Sequence, residues 1–445
     1  MKYATNIREI PNAFMPEALE ADDMQEFYEE TMEIRTGDKG NNPIENIYDD
    51  CRKPKSRNAF LLLGHRGCGK STELNRMACR LNNEGYPTKV IRCDMEINAQ
   101  NIDYTDVLIL MGDALVSIAN EKGCGDSDII ELIYSFWRTS IEKEEKIGDE
   151  LSAEIEAGAK AETPKLLKLL HFFGGVKSNL KYNDEKRTVY REVVRKNSSE
   201  WLQAMRLLAD SITDSNSGKQ PILIFEDLDK GNKWTVFSGH GEQLTGVSFP
   251  VIYTFPIAYF YKPEFAEMNA FFKEVRMPMV KLKNYDGTDC RKGFASVKEI
   301  IKKRADESLF AKGVINLLIE KTGGSLRNLF TAINTASRIS SRRGNEKINK
   351  DVALIALGEK KSAIIDRIEG DDYAFLSDIL KGNRVAIKNR AKLLKMMQAG
   401  AVLEYKDKDR VWREVHPLVA DFMKDHPELA EWNRENEQEF ETNEG

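Results

Sequence analysis

The chain has 445 residues, 41% hydrophobic and 31% charged, with a formal net charge of −6. That length exceeds one ordinary core and points to two or three domains, and the composition excludes a disordered chain. The acidic balance argues against coating of nucleic acid by the whole molecule while allowing local basic patches. The six cysteines include no C-x-x-C pair, no apolar run reaches the roughly 18 residues of a membrane span, and the start shows no signal-peptide core. Free thiols and a cytoplasmic protein without a membrane partner are expected.

Residues 1–45 read as an N-terminal helical arm. One surface helix is expected over Met15–Met32, with a loop at 36–42 and Phe27, Tyr28 or Arg35 nearest to any bound base. Phe60–Leu63 then reads as a short buried strand, followed by Gly64, His65, Arg66, Gly67, Cys68, Gly69, Lys70 and Ser71, and from Thr72 by apolar residues at helical spacing. Strand, glycine loop and helix in that order match G-x-x-x-x-G-K-[ST]. The glycines let successive amides point inward to a phosphate, and the new helix adds its free amides and dipole. Lys70 can reach the β- and γ-phosphates, and the Ser71 hydroxyl is placed for magnesium. A bound nucleoside triphosphate is implied, with ATP and Mg2+ as cofactors.

Further strands are expected at Thr88–Cys93, Pro221–Phe225, Val247–Thr254 and Val275–Leu282, the last two with internal prolines. Interleaved with helices they predict an α/β P-loop fold, a three-layer αβα parallel sheet over 46–285 with a helical insertion at about 125–212. Glu226 and Asp227 end the third strand, where magnesium-dependent hydrolysis needs one carboxylate for the metal and one for the attacking water. Two assignments stay open: Glu226 on the metal with Asp227 as base, or Asp227 on the metal with Asp229 assisting. Thr254, ending the fourth strand, either senses the γ-phosphate or satisfies backbone groups there.

Residues 286–345 read as a helical lid whose last helix is capped by Ser325 and opens on Arg327. Over 346–424, three helices and a hairpin come in the order of a winged helix-turn-helix, and 425–445 is an acidic tail. Arg384, Lys388, Lys392 and Lys395 share one face of the expected third helix over about 385–398. Lys408 and Arg410 fall on the hairpin, and between Lys381 and Arg413 there are ten Lys/Arg against three acidic residues. That is a footprint for double-stranded DNA, or equally a solvated face or a docking module for a protein partner.

The segments GHRGCGKSTEL (64–74), ILIFEDLDK (222–230), VIYTFPIAYFY (251–261), GGSLRNLF (323–330) and GAVLEYKDKDRVWREVHPLV (400–419) resemble the AAA+/STAND-type branch of P-loop ATPases. The match is to the bacterial kind with a C-terminal winged helix, and to its KAP- and origin-recognition-like relatives. The resemblance implies an ATPase switch with Arg327 as sensor-2 arginine and Thr254 at the sensor-1 position. It implies a winged helix that locks an ADP state or binds DNA, and a defence or mobile-element setting with an effector partner. ATP-dependent homo-oligomers fit it too, with Arg276 the candidate arginine finger. Glu226 departs from the branch's usual Asp. The rival readings are a DNA-binding regulator with ATP only as a ligand, and a structural subunit of a larger complex.

Overall fold

The sheet has five strands: β1 (Ala59–Gly64), β2 (Thr88–Arg92), β3 (Ile222–Glu226), β4 (Val251–Pro256) and β5 (Lys273–Arg276). They form one all-parallel sheet in the order β2-β3-β4-β1-β5. The computed structural model describes residues 1–53, 59–98, 101–142, 164–230, 233–382 and 389–429. The prolines explain where the expected strands were too long. Pro250 precedes β4 and Pro256 ends it, while Pro278 lies beyond β5, because a residue without an N–H cannot continue an interior ladder.

Ahead of the sheet, the single helix expected over Met15–Met32 is two short ones, α1 (Ala21–Phe27) and α2 (Met32–Thr36), parted at the extended Tyr28. Then come α3 (Pro43–Cys51) and, after the glycine loop, α4 (Lys70–Asn83). Alternate strand residues face opposite layers, as the two-residue period requires. Phe60, Leu62, Ile222, Ile224 and Ile252 pack with Leu74, Met77 and Leu81 of α4 and with Ile44 and Ile47 of α3. Leu61, Leu63, Leu223, Phe225, Val251 and Tyr253 pack instead into the core of the second face.

That second face is covered by α5 (Tyr104–Lys122), α6 (Ser127–Glu142), α7 (Lys165–Tyr182), α8 (Asp184–Lys196) and α9 (Ser198–Ser215). The charged and Ala/Glu-rich stretch at 143–163 lies outside the described residues. The insertion owes its order to an aromatic centre in which Trp137 and Trp201 cross edge to face with centroids 5.2 Å apart. The Trp201 indole N–H donates to the Leu108 carbonyl at 3.0 Å. Among the described residues no helix is long and apolar enough to cross a membrane, and the run around Leu169–Phe173 packs into this core.

The lid helices α10 (Arg291–Lys302), α11 (Val314–Thr322) and α12 (Leu326–Arg342) form a separate apolar centre, into which the arm inserts Ile10 and Phe14. Ser325 caps α12 by accepting from the Asn328 amide. Beyond it lie α13 (Lys350–Ile365), α14 (Asp372–Leu380), α15 (Arg390–Ala399), the hairpin β6 (Val402–Asp407) and β7 (Arg410–Val415), and α16 (Pro417–Asp425). The helix expected from about 385 is described only from Arg390; Arg384, Lys388 and the tail from 430 lie outside the described residues.

A tight contact inside the insertion gives a stability prediction. A Cβ built at Gly112 on α5 would lie 2.2 Å from Trp201 Cζ2. Helix propensity alone favours alanine there by about 1 kcal/mol, but overpacking against a fixed indole opposes it. Gly112→Ala is therefore expected to lower stability by roughly 1–3 kcal/mol in urea unfolding; a stabilised variant would contradict this packing.

Candidate nucleotide-binding site

The loop between β1 and α4 is shaped by two glycines in left-handed conformations, Gly67 (φ +80°) and Gly69 (φ +103°). Gly69 occupies the N-cap of α4 and offers no side chain to the first helical amides, so they stay open to an anion. Gly67 also permits close approach: a Cβ there would sit 2.3 Å from Cβ of Arg327, whose own amide donates to the Gly67 carbonyl at 3.3 Å. The first turn of the lid thus rests directly on the loop.

Lys70 is only 5% exposed, so its ammonium needs acceptors. It donates to the carbonyls of Gly64 (2.9 Å) and His65 (3.0 Å) and pairs with Asp229 Oδ2 at 2.7 Å. Burial alone would lower the lysine's pKa, but Asp229, together with Cys68 and Glu226, outweighs it and the net shift is upward. Burial likewise opposes the charge of Asp229, yet Lys70 holds that carboxyl below its ordinary value.

Glu226 lies at the end of β3 and is 2% exposed. Burial pushes its pKa up to about 7, although it accepts a hydrogen bond from the Ser71 hydroxyl. Its Oε2 is 3.9 Å from Arg92 Nε, while its buried Oε1 has no hydrogen-bond partner. An orphaned carboxylate oxygen beside a serine hydroxyl is the hard-oxygen donor set that Mg2+ takes; the residues fit the ion.

Asp227 adopts φ +68°, a conformation that non-glycine residues hold only when their surroundings enforce it. Here Lys230 bridges Asp227 and Asp94 at 2.5 Å each, and Lys233 donates to the Asp227 carbonyl at 2.6 Å. Burial, and then the hydrogen bond with Asp94, push the Asp227 carboxyl up to about 6. The hydroxyl of Thr254 donates to the Phe225 carbonyl at 3.3 Å, which is the backbone-satisfying alternative for that residue. Arg327 is half-buried with an unpartnered Nε, and burial and Arg66 hold its pKa down. It makes no ion pair among the described residues.

Several of these groups, among them Lys70, Ser71, Asp227, Asp229 and Arg327, line one cavity. Its lining joins Arg66, Gly67, Gly69 to Thr72, Asp227 and Asp229 with Ile300, Leu326 and Phe330 of the lid and Phe27, Tyr28 and Arg35 of the arm. The arm is fastened there. Leu19 donates to Thr72 Oγ1 at 3.3 Å, its carbonyl accepts from Asn75 at 2.9 Å, and the Tyr28 hydroxyl donates to Glu73 at 3.1 Å.

The C-terminal module packs on the same loop. The Glu404 amide donates to His65 Nε2 at 2.8 Å. Burial, and then Lys70, push the His65 pKa down to about 3, so the ring remains a neutral acceptor. Tyr405 donates to the Gly323 carbonyl at 2.7 Å, Lys281 pairs with Asp407 at 2.6 Å, and the Lys408 amide donates to the Thr36 carbonyl at 2.6 Å.

Four of the six basic candidates for DNA contact lie among the described residues, and Lys408 and Arg410 are exposed. The hairpin turn carrying Lys408 lies against the arm, and the Arg410 guanidinium sits 5.2 Å over the Tyr285 ring. Lys392 pairs with Asp371 at 3.2 Å and Lys395 with Asp372 at 2.9 Å. Arg276, the candidate finger, pairs with Glu274 and lies 3.5 Å over Phe260 of its own chain. Sequence reading missed Asp94 and Lys230; an aspartate just past the end of a parallel strand was the available signal.

No protein-family model and no curated protein matches the chain. Among solved structures it is similar to the Walker-type ATPase PABY2304 of Pyrococcus abyssi (13% identity, TM-score 0.45, covering 93% of this chain and 99% of that one). It is also similar to the Aeropyrum pernix ORC2 protein in its ADPNP–ADP complexes (11%, 0.41, 89% and 94%) and to Cdc6p from Pyrobaculum aerophilum (10%, 0.34, 94% and 97%). Likeness at this level carries no conclusion about activity, and the functional reading rests on the geometry of the site.

The buried Glu226 gives a prediction with two opposite signs. Its pKa is raised from 4.5 to about 7, so the ligand-free fold loses stability as pH rises through that window, by up to about 3 kcal/mol. Glu226→Gln is expected to remove this slope in urea unfolding between about pH 5 and 8 and to stabilise the free protein at the upper end. The same variant should lose magnesium-dependent nucleotide binding. A slope unchanged by the substitution would contradict the assignment.

Proposed function

We propose that this protein is an ATP-driven switch of the AAA+ type that binds ATP between sheet, lid and arm and hydrolyses it with Mg2+. The observation carrying this reading is that one cavity is lined at once by the open amides of α4, the acids following β3 and the lid arginine Arg327. In it, Gly64 to Thr72 cradle the phosphates and Lys70 exchanges Asp229 for the β- and γ-phosphates. Ser71 and the free oxygen of Glu226 would hold a magnesium ion, which would supply charge neutralisation to the phosphates. Asp227, steered by Lys230 and Asp94, orients the attacking water and takes its proton, and Arg327 engages the terminal phosphate from the lid. Thr254 steadies the end of β3 rather than touching phosphate.

Output passes through the winged module. Contact of its hairpin with duplex DNA or a protein partner first requires release from His65, Gly323 and Thr36.

Phosphate release from ATP tests the reading. The expected result is magnesium-dependent turnover that falls by roughly 10²-fold or more in Lys70→Ala, and turnover loss with retained ATP binding in Asp227→Asn. A purified protein that binds neither ATP nor ADP would overturn it.

A further inference from the structure

A buried arginine of the arm has no acid paired with it. Arg35, in the last turn of α2, is 1% exposed. Its Nε donates to the Thr31 hydroxyl at 2.7 Å and its Nη1 to the Pro278 carbonyl at 2.8 Å. Both acceptors are neutral. Among the described residues Nη2 has no hydrogen-bond partner and the guanidinium makes no ion pair. The neighbouring acids are engaged elsewhere: Glu73 with Arg76 at 3.4 Å and with the Tyr28 hydroxyl at 3.1 Å, and Glu30 with Arg76 at 3.3 Å. Burial holds the Arg35 pKa below the ordinary arginine value, although Cys68 and Glu73 oppose that shift. A cation taken out of water without a counter-charge is unfavourable, and an entering anion relieves it.

The surroundings say which anion. Arg35 lines the same cavity as Gly69, Lys70, Ser71 and Thr72. A Cβ built on Gly69 would lie 3.6 Å from Arg35 Nη2, 3.7 Å from Met277 Cε and 3.8 Å from Leu326 Cδ1. The unused nitrogen therefore stands beside the N-cap of α4, enclosed by the residue after β5 and by the first turn of the lid. The amides that follow Gly69 receive no side-chain cap, and a helix N-terminus favours negative charge. Open amides and an uncompensated guanidinium thus meet at one point of the cavity wall. The sequence expectation set Arg35 near a bound base; the contact with Gly69 sets its charge beside the phosphate loop.

We propose that Arg35 is a phosphate-binding residue supplied by the N-terminal arm, donating from Nη2 to an oxygen of the phosphates held at the N-terminus of α4, which ADP and ATP share. This rests on the nucleotide reading above and deepens it. Thr31 and Pro278 fix the plane of the guanidinium before the ligand arrives, which suits arginine and not lysine to the task. Lys70 grips the phosphates from the sheet side and Arg35 from the arm. The arm therefore responds to the presence of a nucleotide and not to the loss of its terminal phosphate.

Equilibrium binding of ADP, of a non-hydrolysable ATP analogue and of inorganic tripolyphosphate, each with Mg2+, to the full chain tests this. Tripolyphosphate has neither base nor sugar and reads phosphate contacts alone. Arg35→Gln removes the charge and keeps a donor; Arg35→Lys keeps the charge without the planar fork. The expected result is a loss of about tenfold or more in affinity for all three ligands in Arg35→Gln, and a smaller loss in Arg35→Lys. A loss confined to the two nucleotides assigns Arg35 to the base, the sugar or the seating of the arm, and overturns the proposal. A loss confined to the ATP analogue, or no loss, overturns it as well. A crystal structure of the wild-type chain with ADP decides independently of any variant. Nη2 within about 3.2 Å of a phosphate oxygen supports the assignment, and a guanidinium bound only to Thr31 and Pro278 overturns it. Wild-type protein that binds neither nucleotide defeats the nucleotide reading and this proposal with it, whereas nucleotide binding indifferent to Arg35 defeats the proposal alone.

Discussion

The buried ammonium of Lys70 is the constraint on which the site depends. It cannot be left without acceptors in that environment, where an unpaired charge costs several kcal/mol. The ligand-free chain supplies them from the ends of two strands: the carbonyls of Gly64 and His65 at the end of β1 and the carboxylate of Asp229 after β3. With β4 lying between those strands, Lys70 spans the gap and holds both ends in register. An arriving phosphate competes for the same ammonium, so binding necessarily alters what joins the two strand ends.

His65 carries that change outward. It offers its main-chain oxygen to Lys70 and its ring nitrogen to the amide of Glu404. Leu403, Tyr405 and Trp412 of the hairpin share an apolar cluster with β1 and α4. Gly323 at the lid turn allows close contact too, since a Cβ there would lie 2.9 Å from Leu403. The C-terminal hairpin is therefore packed directly against the glycine loop that borders the cavity. A change at the phosphates reaches the hairpin through a chain of direct contacts, the physical requirement for a switch.

Much of this was legible in the sequence because it is local. The β1–loop–α4 unit, the acids after β3, the Ser325 cap and the hairpin depend on residues within a few positions of one another. Phe27, Tyr28 and Arg35 do line the cavity, although the single helix expected to carry Phe27 and Tyr28 is broken at Tyr28. The features that could not be read depend on distant partners. Asp371 and Asp372 neutralise Lys392 and Lys395 from about twenty residues upstream, and helical periodicity carries no trace of that. The Thr254 hydroxyl had two acceptable fates, and only the register of β4 against β3 put the Phe225 carbonyl beside it.

Phosphate capture at Lys70 should be felt at the Glu404 amide, and on that coupling the switch stands or falls. Amide hydrogen exchange of the β6 hairpin, with and without saturating Mg2+ and a non-hydrolysable ATP analogue, measures it directly. The predicted result is a change in protection at Leu403–Tyr405 on nucleotide binding, absent in Lys70→Ala. Exchange at the hairpin that is identical in the free and saturated wild-type protein would contradict it.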